Sequence, residues 1–330
     1  RNYLTNIVGL LMQHMNDAIL DYSPEHWALN RRSRKNHVIP WQPYDYINEK
    51  ERTIDGVVEE VATIFLTNKE CPFRCLMCDL WKNTTNEPVP DGAIPVQIQY
   101  ALSLLSSSEH IKLYNSGNFF DSQAIPPADF PLIAKILDPF KTVVVESHPR
   151  FIGKNCIRFN EMLYPELHVA VGLETAHPGI LSKLNKSMVL KDFELAVNYL
   201  KKNDISVRTF ILLNVPFLDE SEGNSWAKRS IDFAFDVGVE CCVVIPTRSG
   251  NGILDQLEAN SLFFKSSLPS LENVIEYGIE QKRGRVFADL WDIETLSTCK
   301  RCAPQRVQRI RSMNFTQHIS LPVECSFCKN

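Results

Sequence analysis

The sequence has no apolar run long enough for a helix to cross a bilayer, which argues against a helical membrane span and leaves no membrane partner expected. The opening stretch, Arg1 to Tyr22, has the spacing of an amphipathic helix and lacks the pattern of a cleaved leader. The chain is also short of net charge: a formal −4 over 330 residues argues against a protein that coats nucleic acid without regard to sequence. Apolar content of 44% and charged content of 22% are ordinary for a globular protein, and the length suits one barrel-type α/β domain with additions, or two smaller domains. Cysteine, by contrast, is plentiful. The ten cysteines form one triplet, two C-x2-C pairs and three others, which is grouping for metal sites and not a disulfide framework. A reducing, cytoplasmic setting is therefore expected, because such thiolate sites are destroyed by oxidation.

The triplet is Cys71-Pro-Phe-Arg-Cys75-Leu-Met-Cys78, a C-x3-C-x2-C spacing that follows an apolar run, Val61 to Leu66, with the character of a β-strand. Three thiols on one short loop are one ligand short of a closed tetrahedral site. A [4Fe–4S] cube held by three thiolates keeps one iron open to an exchangeable ligand, whereas structural clusters and structural zinc take four protein ligands. The bland alternatives are a zinc knuckle completed by a remote ligand, or buried free thiols.

From Val61 onward, strand, polar loop and helix alternate. Strands are expected at Ala62–Leu66, Ile111–Tyr114, Thr142–Val145, Leu167–Val171, Ser206–Leu213 and Cys241–Ile245, with helices such as Val96–Leu105, Asp192–Lys202 and Ser225–Asp236 between them. Six such units give an α/β fold, a partial (β/α)6 TIM-type barrel whose reaction site lies at the strands' C-terminal ends. The expected division is an N-terminal helical extension over 1–60, the barrel over 61–250, and a small cysteine-rich metal-binding region over 251–330.

The triplet, placed just after the first strand of this pattern, resembles the signature of the radical S-adenosylmethionine (SAM) superfamily. The resemblance covers roughly residues 60–250. It implies a [4Fe–4S] cluster on Cys71, Cys75 and Cys78, SAM chelated by the open iron, and cleavage of SAM to a 5′-deoxyadenosyl radical after one electron arrives from a flavodoxin or ferredoxin. Asn115, Ser116 and Gly117 sit where the family carries its glycine-rich motif for the SAM amino group, although only the glycine and its position agree. Gly172-Leu-Glu174-Thr175 resembles the family's fourth-strand motif, which makes Glu174 a SAM ligand. Met77 stands where an aromatic residue often lies beside adenine, and Asn214 begins a plausible adenine-side turn. Arg208, interrupting an apolar strand, is expected to pair with the SAM carboxylate, or else with Glu174 or Glu146. Glu146 and His148 are left to face substrate as proton-transfer or hydrogen-bonding groups.

Near the C-terminus, Cys299 and Cys302 are separated from Cys325 and Cys328 by the residues from Ala303 to Glu324. This closed tetrathiolate pattern suits Zn2+ in a ribbon-like site, with an auxiliary iron–sulfur cluster as the alternative. Arg301, Arg306, Arg309 and Arg311 recur on a helix between the pairs and offer a basic face for RNA, against the alternative of a solvated face. The pentad Arg31 to Lys35 offers a grip on a phosphate-bearing substrate, a guide for electron donors, or another solvated face. The blocks Asn115–Asp121, Glu146–Phe151, Gly172–Thr175 and Phe210–Glu220 resemble the branch containing the Elongator catalytic subunit and archaeosine synthase, which implies tRNA as one possible substrate. Two rival readings are a zinc-stabilised nucleic-acid-binding protein, and a two-cluster electron-transfer protein without SAM turnover.

Overall fold

The computed structural model describes residues 32–297 and 299–328. Arg31 and the amphipathic stretch Arg1 to Tyr22 lie outside the described residues. One eight-stranded sheet organises the rest, with its strands in strict chain order: β1 (Asp45–Arg52), β2 (Val58–Phe65), β3 (His110–Tyr114), β4 (Thr142–Ser147), β5 (Glu166–Glu174), β6 (Ser206–Leu213), β7 (Cys241–Pro246) and β8 (Arg285–Ala288). β1 pairs antiparallel with β2, and every later pair is parallel. The helices are α1 (Ala93–Leu102), α2 (Phe130–Leu137), α3 (Lys154–Asn160), α4 (Pro178–Lys183), α5 (Leu190–Lys201), α6 (Glu220–Val237), α7 (Ile253–Ala259), α8 (Leu268–Glu280) and α9 (Ala303–Thr316).

Because the strands follow one another in order with helical crossovers, the sheet curls into a half-barrel with helices outside and an open concave side. The six strands expected from the apolar pattern are β2 to β7. Two more extend the sheet. β8 falls on a short strand-like run, while β1 carries charges at Asp45 and at each position from Glu49 to Arg52 and lacks the apolar signature used to find the others. Side-chain alternation sorts the two faces. Ala62, Ile64, Ile111, Leu113, Val143 and Val145 pack outward into the core beneath the helices. The opposite residues, among them Thr63, Lys112, Glu146 and Arg208, face inward by the same alternation.

That inward face holds buried cations, and β1 neutralises them. Lys112 donates to Glu49 at 2.9 Å and to Glu51 at 2.6 Å, while Arg208 pairs with both carboxylate oxygens of Glu51, one of them at 2.9 Å. Thr63 Oγ1 also donates to Glu49. The acidic residues that make β1 look like a surface segment are thus the counter-ions of the barrel interior.

An open parallel sheet has an unpaired edge, and α9 covers it at β8. Ala288 N–H donates to Asn314 Oδ1 at 2.8 Å, and Asn314 Nδ2 donates to Ala288 C=O at 2.9 Å. Gln317, at the end of the same helix, repeats this with Val286 at 2.7 and 2.9 Å. Two side-chain amides therefore stand in for a ninth strand. The same helix reaches the other edge, where Arg52 of β1 donates to the Phe315 carbonyl at 3.0 Å.

The ion pairs inside the barrel have a measurable consequence. Burial alone would raise the Glu51 carboxyl, but Arg208 and Lys112 outweigh it and hold the group well below the usual carboxylate range. A depressed folded-state value stabilises the fold above the unfolded carboxylate pKa, and that stability is lost as pH falls toward the folded value. Replacing Glu51 with Ala strands the buried Arg208, leaves Lys112 with Glu49 alone, and is expected to cost about 3–5 kcal/mol at neutral pH. Denaturant titrations of both proteins from pH 7 down to about 3 should show the gap narrowing with acid. A pH-independent gap would remove the ionic explanation.

Candidate active site

The triplet lies on the loop that leaves the C-terminal end of β2, at the mouth of the half-barrel. Its backbone is tied down from several directions. Trp81 Nε1 donates to the Cys78 carbonyl at 3.1 Å, Asn251 Nδ2 to the Leu76 carbonyl at 2.8 Å, and Asn185 Nδ2 to the Arg74 carbonyl at 2.9 Å. Leu76 N–H donates to the Leu184 carbonyl at 2.9 Å. Loops following β2, α4 and β7 thereby fix one loop, so the thiols are presented on a rigid base.

Arg32, Lys35 and Arg74 all converge on Glu70, beside Cys71, at 2.5, 2.7 and 3.1 Å. Arg32 also lies over the Trp81 ring, 4.6 Å from its centroid. The described part of the basic pentad is thus engaged with the cysteine loop at Arg32 and Lys35, and the reading of those two residues as a solvated face or a phosphate grip is corrected.

Cys71, Cys75 and Cys78 are each partly exposed. Burial raises all three thiols, Cys75 to about 11, and at Cys78 the neighbouring Cys75 and Cys71 add to the rise. The Lys186 ammonium pulls the other way at Cys71 and Cys75. Without a metal these are protonated thiols at neutral pH.

Around them stand several residues anticipated from the sequence. After β3, Asn115-Ser116-Gly117 forms a turn with Ser116 at φ 52°, and Glu146 at the end of β4 braces it. The Glu146 carboxylate accepts from Asn115 N–H at 2.7 Å and Gly117 N–H at 3.4 Å, and Ser116 Oγ meets the Tyr44 hydroxyl at 2.9 Å. Both polar atoms of the fully buried Asn115 side chain lack a protein partner. A Cβ at Gly117 would sit 3.5 Å from Cys71 Cβ, in ordinary contact, so the turn lies against the cysteine loop.

A bulge at the end of β5 turns Glu174 to φ 66°, and its carboxylate meets Lys186 Nζ at 2.6 Å. A Cβ at Gly172 would meet both partners, at 2.5 Å from Glu174 Oε1 and 2.7 Å from Lys186 Nζ, so a side chain there would displace the ends of the pair. Met77 packs against an apolar cluster that includes Val215 and Phe217 after β6. Asn214 is turned toward the start of α6. Its Oδ1 would lie 2.5 Å from a Cβ on Gly223, and its Nδ2 donates to the Lys265 carbonyl at 3.4 Å.

Two expectations fail on geometry. Arg208 is committed to Glu51 inside the barrel, so it pairs neither with a ligand carboxylate nor with Glu174 or Glu146. His148 is not free for proton transfer: its Nε2 meets the Lys186 carbonyl at 2.8 Å, its Nδ1 accepts from Arg150 N–H at 3.1 Å, and Phe73 lies over its ring at 4.0 Å. Burial, with Lys186 nearby, lowers its pKa to about 3, so it stays neutral and structural. Lys186, Asn118 and Tyr44 are the site residues that sequence reasoning missed. Lys186 falls in a polar connector between α4 and α5, where a buried ammonium leaves no periodic trace, and Asn118 had no signal beyond lying in one of the resembling blocks.

A second site lies apart from the first. The ligand atoms of Cys299, Cys302, Cys325 and Cys328 all lie within 4.8 Å of one another, with Sγ–Sγ separations of 3.9 Å for Cys299–Cys325 and 3.5 Å for Cys302–Cys328. This is a group able to bind a metal. Its basic helix is not the open face expected for RNA. Arg306 and Arg309 are buried against Glu272 and Glu276 of α8, with Arg309 to Glu276 at 2.6 Å, and they also hold the returning carbonyls of Val323, Ser320 and Leu321. Arg301 and Arg311 remain exposed.

Glu146 carries the testable electrostatics. Burial raises its carboxyl to about 7 against the opposing N–H donors of the turn and Lys186. For an acid raised in the folded state, the protonated form is the stabilised one, so stability is lost as pH rises from the ordinary carboxylate range toward 7. Glu146→Gln keeps the acceptor oxygen but cannot ionise. Its stability relative to the native chain is expected to rise between about pH 5 and pH 8, read from denaturant midpoints, and a flat difference would contradict the assignment.

No family model matches the chain. In sequence it is 25% identical over 304 residues to an uncharacterized protein of Methanocaldococcus jannaschii, a match spanning 84% of this chain and 82% of that protein. It is 28% identical over 166 residues to the archaeosine synthase subunit beta of Thermococcus kodakarensis, which covers 48% of this chain and about half, 51%, of that subunit. Among solved structures, a radical SAM methyltransferase from Sphaerobacter thermophilus superposes with a TM-score of 0.50 at 15% identity, over 76% of this chain and 77% of that one. The half-barrel is thus the fold shared with that radical SAM methyltransferase, and in sequence the chain resembles the beta subunit of archaeosine synthase.

Proposed function

We propose that this chain is a radical SAM enzyme in which Cys71, Cys75 and Cys78 hold a [4Fe–4S] cluster and the surrounding loop ends hold SAM. The observation that carries the reading is the triplet's setting: three cysteines, each partly exposed as a residue, on a braced loop at the mouth of the half-barrel. Among the described residues, only the C-terminal cysteines are gathered tightly enough to surround one ion.

The residues also fit SAM. Asn115 offers a buried amide with no protein partner, and Glu174 with Lys186 supplies a carboxylate and an ammonium side by side. When bound, the cluster and SAM supply a 5′-deoxyadenosyl radical that takes a hydrogen atom from substrate. The chain's own residues bind and orient. The Glu174–Lys186 pair presents complementary charge to the amino-acid end of SAM, and Met77 offers an apolar contact for its base. Glu146 holds the Asn115–Gly117 turn and, with its raised pKa, can carry a proton at neutral pH.

The electron donor in this reading is a flavodoxin or ferredoxin, in the reducing cytoplasm. The substrate is a tRNA base, supported by the likeness to the archaeosine synthase subunit. In the anaerobically purified full chain, Cys75→Ala is expected to lose iron, sulfide, brown absorbance and 5′-deoxyadenosine formation together. Undiminished deoxyadenosine from that variant would sink the proposal.

The C-terminal thiols take a single Zn2+ in this reading. A Zn–S bond of about 2.3 Å sets the edge of a sulfur tetrahedron near 3.8 Å. The separations of 3.9 and 3.5 Å match that edge, whereas a cube spreads its thiolates over separate irons. The ion would close the hairpin that carries α9, the helix covering the β8 edge. Metal analysis of Cys328→Ser should show zinc lost and the iron of the triplet kept. Loss of iron and sulfide with no zinc in either protein would make it a second cluster.

A further inference from the structure

The triplet is contacted by a side chain that the proposed chemistry does not use. Asn118, only 2% exposed, lies just past the braced turn after β3, and its Nδ2 donates to Cys71 Sγ at 3.2 Å. The direction of that amide is fixed. Its Oδ1 accepts from the backbone N–H of His148 at 2.7 Å, and because that N–H can only donate, the oxygen must face it and the NH2 must face the sulfur. His148 is itself immobilised through both ring nitrogens and the Phe73 ring, and Phe119 N–H is tied to the Glu146 carbonyl at 2.9 Å. The donor is thus held between β3 and β4 whatever occupies the thiols.

A hydrogen bond to a ligating sulfur stabilises negative charge there. Reduction of an iron–sulfur cluster adds an electron that spreads onto its sulfurs, so such a donor raises the reduction potential. We propose that Asn118 is a positioning residue that sets the reduction potential of the cluster held by Cys71, Cys75 and Cys78, with the backbone of His148 aiming its amide at the Cys71 sulfur. This rests on the cluster reading given above. It gives the buried, neutral His148 a role that its imidazole cannot play as an acid or base: it is the fixed end of a brace. It also concerns electron uptake, a step separate from SAM and substrate binding.

The test uses the full chain, reconstituted anaerobically with iron and sulfide and titrated with dithionite, with the reduced cluster followed by electron paramagnetic resonance. Asn118→Asp keeps the acceptor for His148 N–H and replaces the donor with a carboxylate, and Asn118→Ala removes both. Both variants are expected to bind iron and sulfide as the native chain does and to titrate at lower potential. At the native midpoint, Asn118→Asp should show a reduced-to-oxidised ratio about tenfold lower, equivalent to about 59 mV for one electron, and Asn118→Ala a smaller fall in the same direction. If Asn118→Asp fails to take up iron, Asn118→Ala decides. Native midpoints in an iron-loaded variant would overturn the inference and leave the cluster reading standing, whereas a native chain that binds no cluster would overturn both.

Discussion

The salt-bridge network of Glu49, Glu51, Lys112 and Arg208 is the constraint on which the rest of the fold depends. A half-barrel turns one face of a parallel sheet inward, and here that face carries a lysine and an arginine. Two buried cations would be prohibitive alone. The antiparallel β1 offsets that cost with carboxylates on its inward side, so the strand that looks least like a core element is what makes the interior tenable. Thr63 adds a hydroxyl to the same network, which leaves the lower barrel charged but paired.

The upper barrel works by a different means. Apart from the ion cluster on Glu70, its loops are held by amides and backbone groups, from Asn251, Asn185, Trp81, Asn118 and the turn braced by Glu146. That bracing leaves the thiols, the Glu174–Lys186 pair and the unpartnered Asn115 amide as the polar groups with capacity for a ligand. Polar atoms left unsatisfied in a buried position are costly unless something else completes them, and their gathering beside the triplet is what makes this end of the barrel read as a binding site.

Two devices finish the open sides of the sheet. Asn314 and Gln317 pair with the backbone of β8 as a strand would, and Arg52 links the same helix to β1. The four C-terminal cysteines bracket that helix in sequence, and Arg306 and Arg309 clamp the returning chain onto α8. Arg306 and Arg309 thus serve packing here, because each finds a carboxylate and a carbonyl within reach.

How much of this was legible follows from what each signal depends on. The strands β2 to β7 and the crossover helices were readable because an apolar run between polar turns is a local property of the chain, and the two cysteine groups were readable because ligand spacing is local too. Glu174 and Gly117 were found as strand-end residues for the same reason. What the sequence could not decide was partnership across distance. Arg208 looked like a ligand for an anion until β1, more than 150 residues earlier, supplied Glu51. His148 looked like an acid or base until the Lys186 carbonyl and the Arg150 amide occupied its ring. Local order and metal-ligand spacing were determined by the sequence itself. Which charges are spent on the fold and which remain for a ligand was decided only when the sheet curled and brought the distant partners within hydrogen-bonding range.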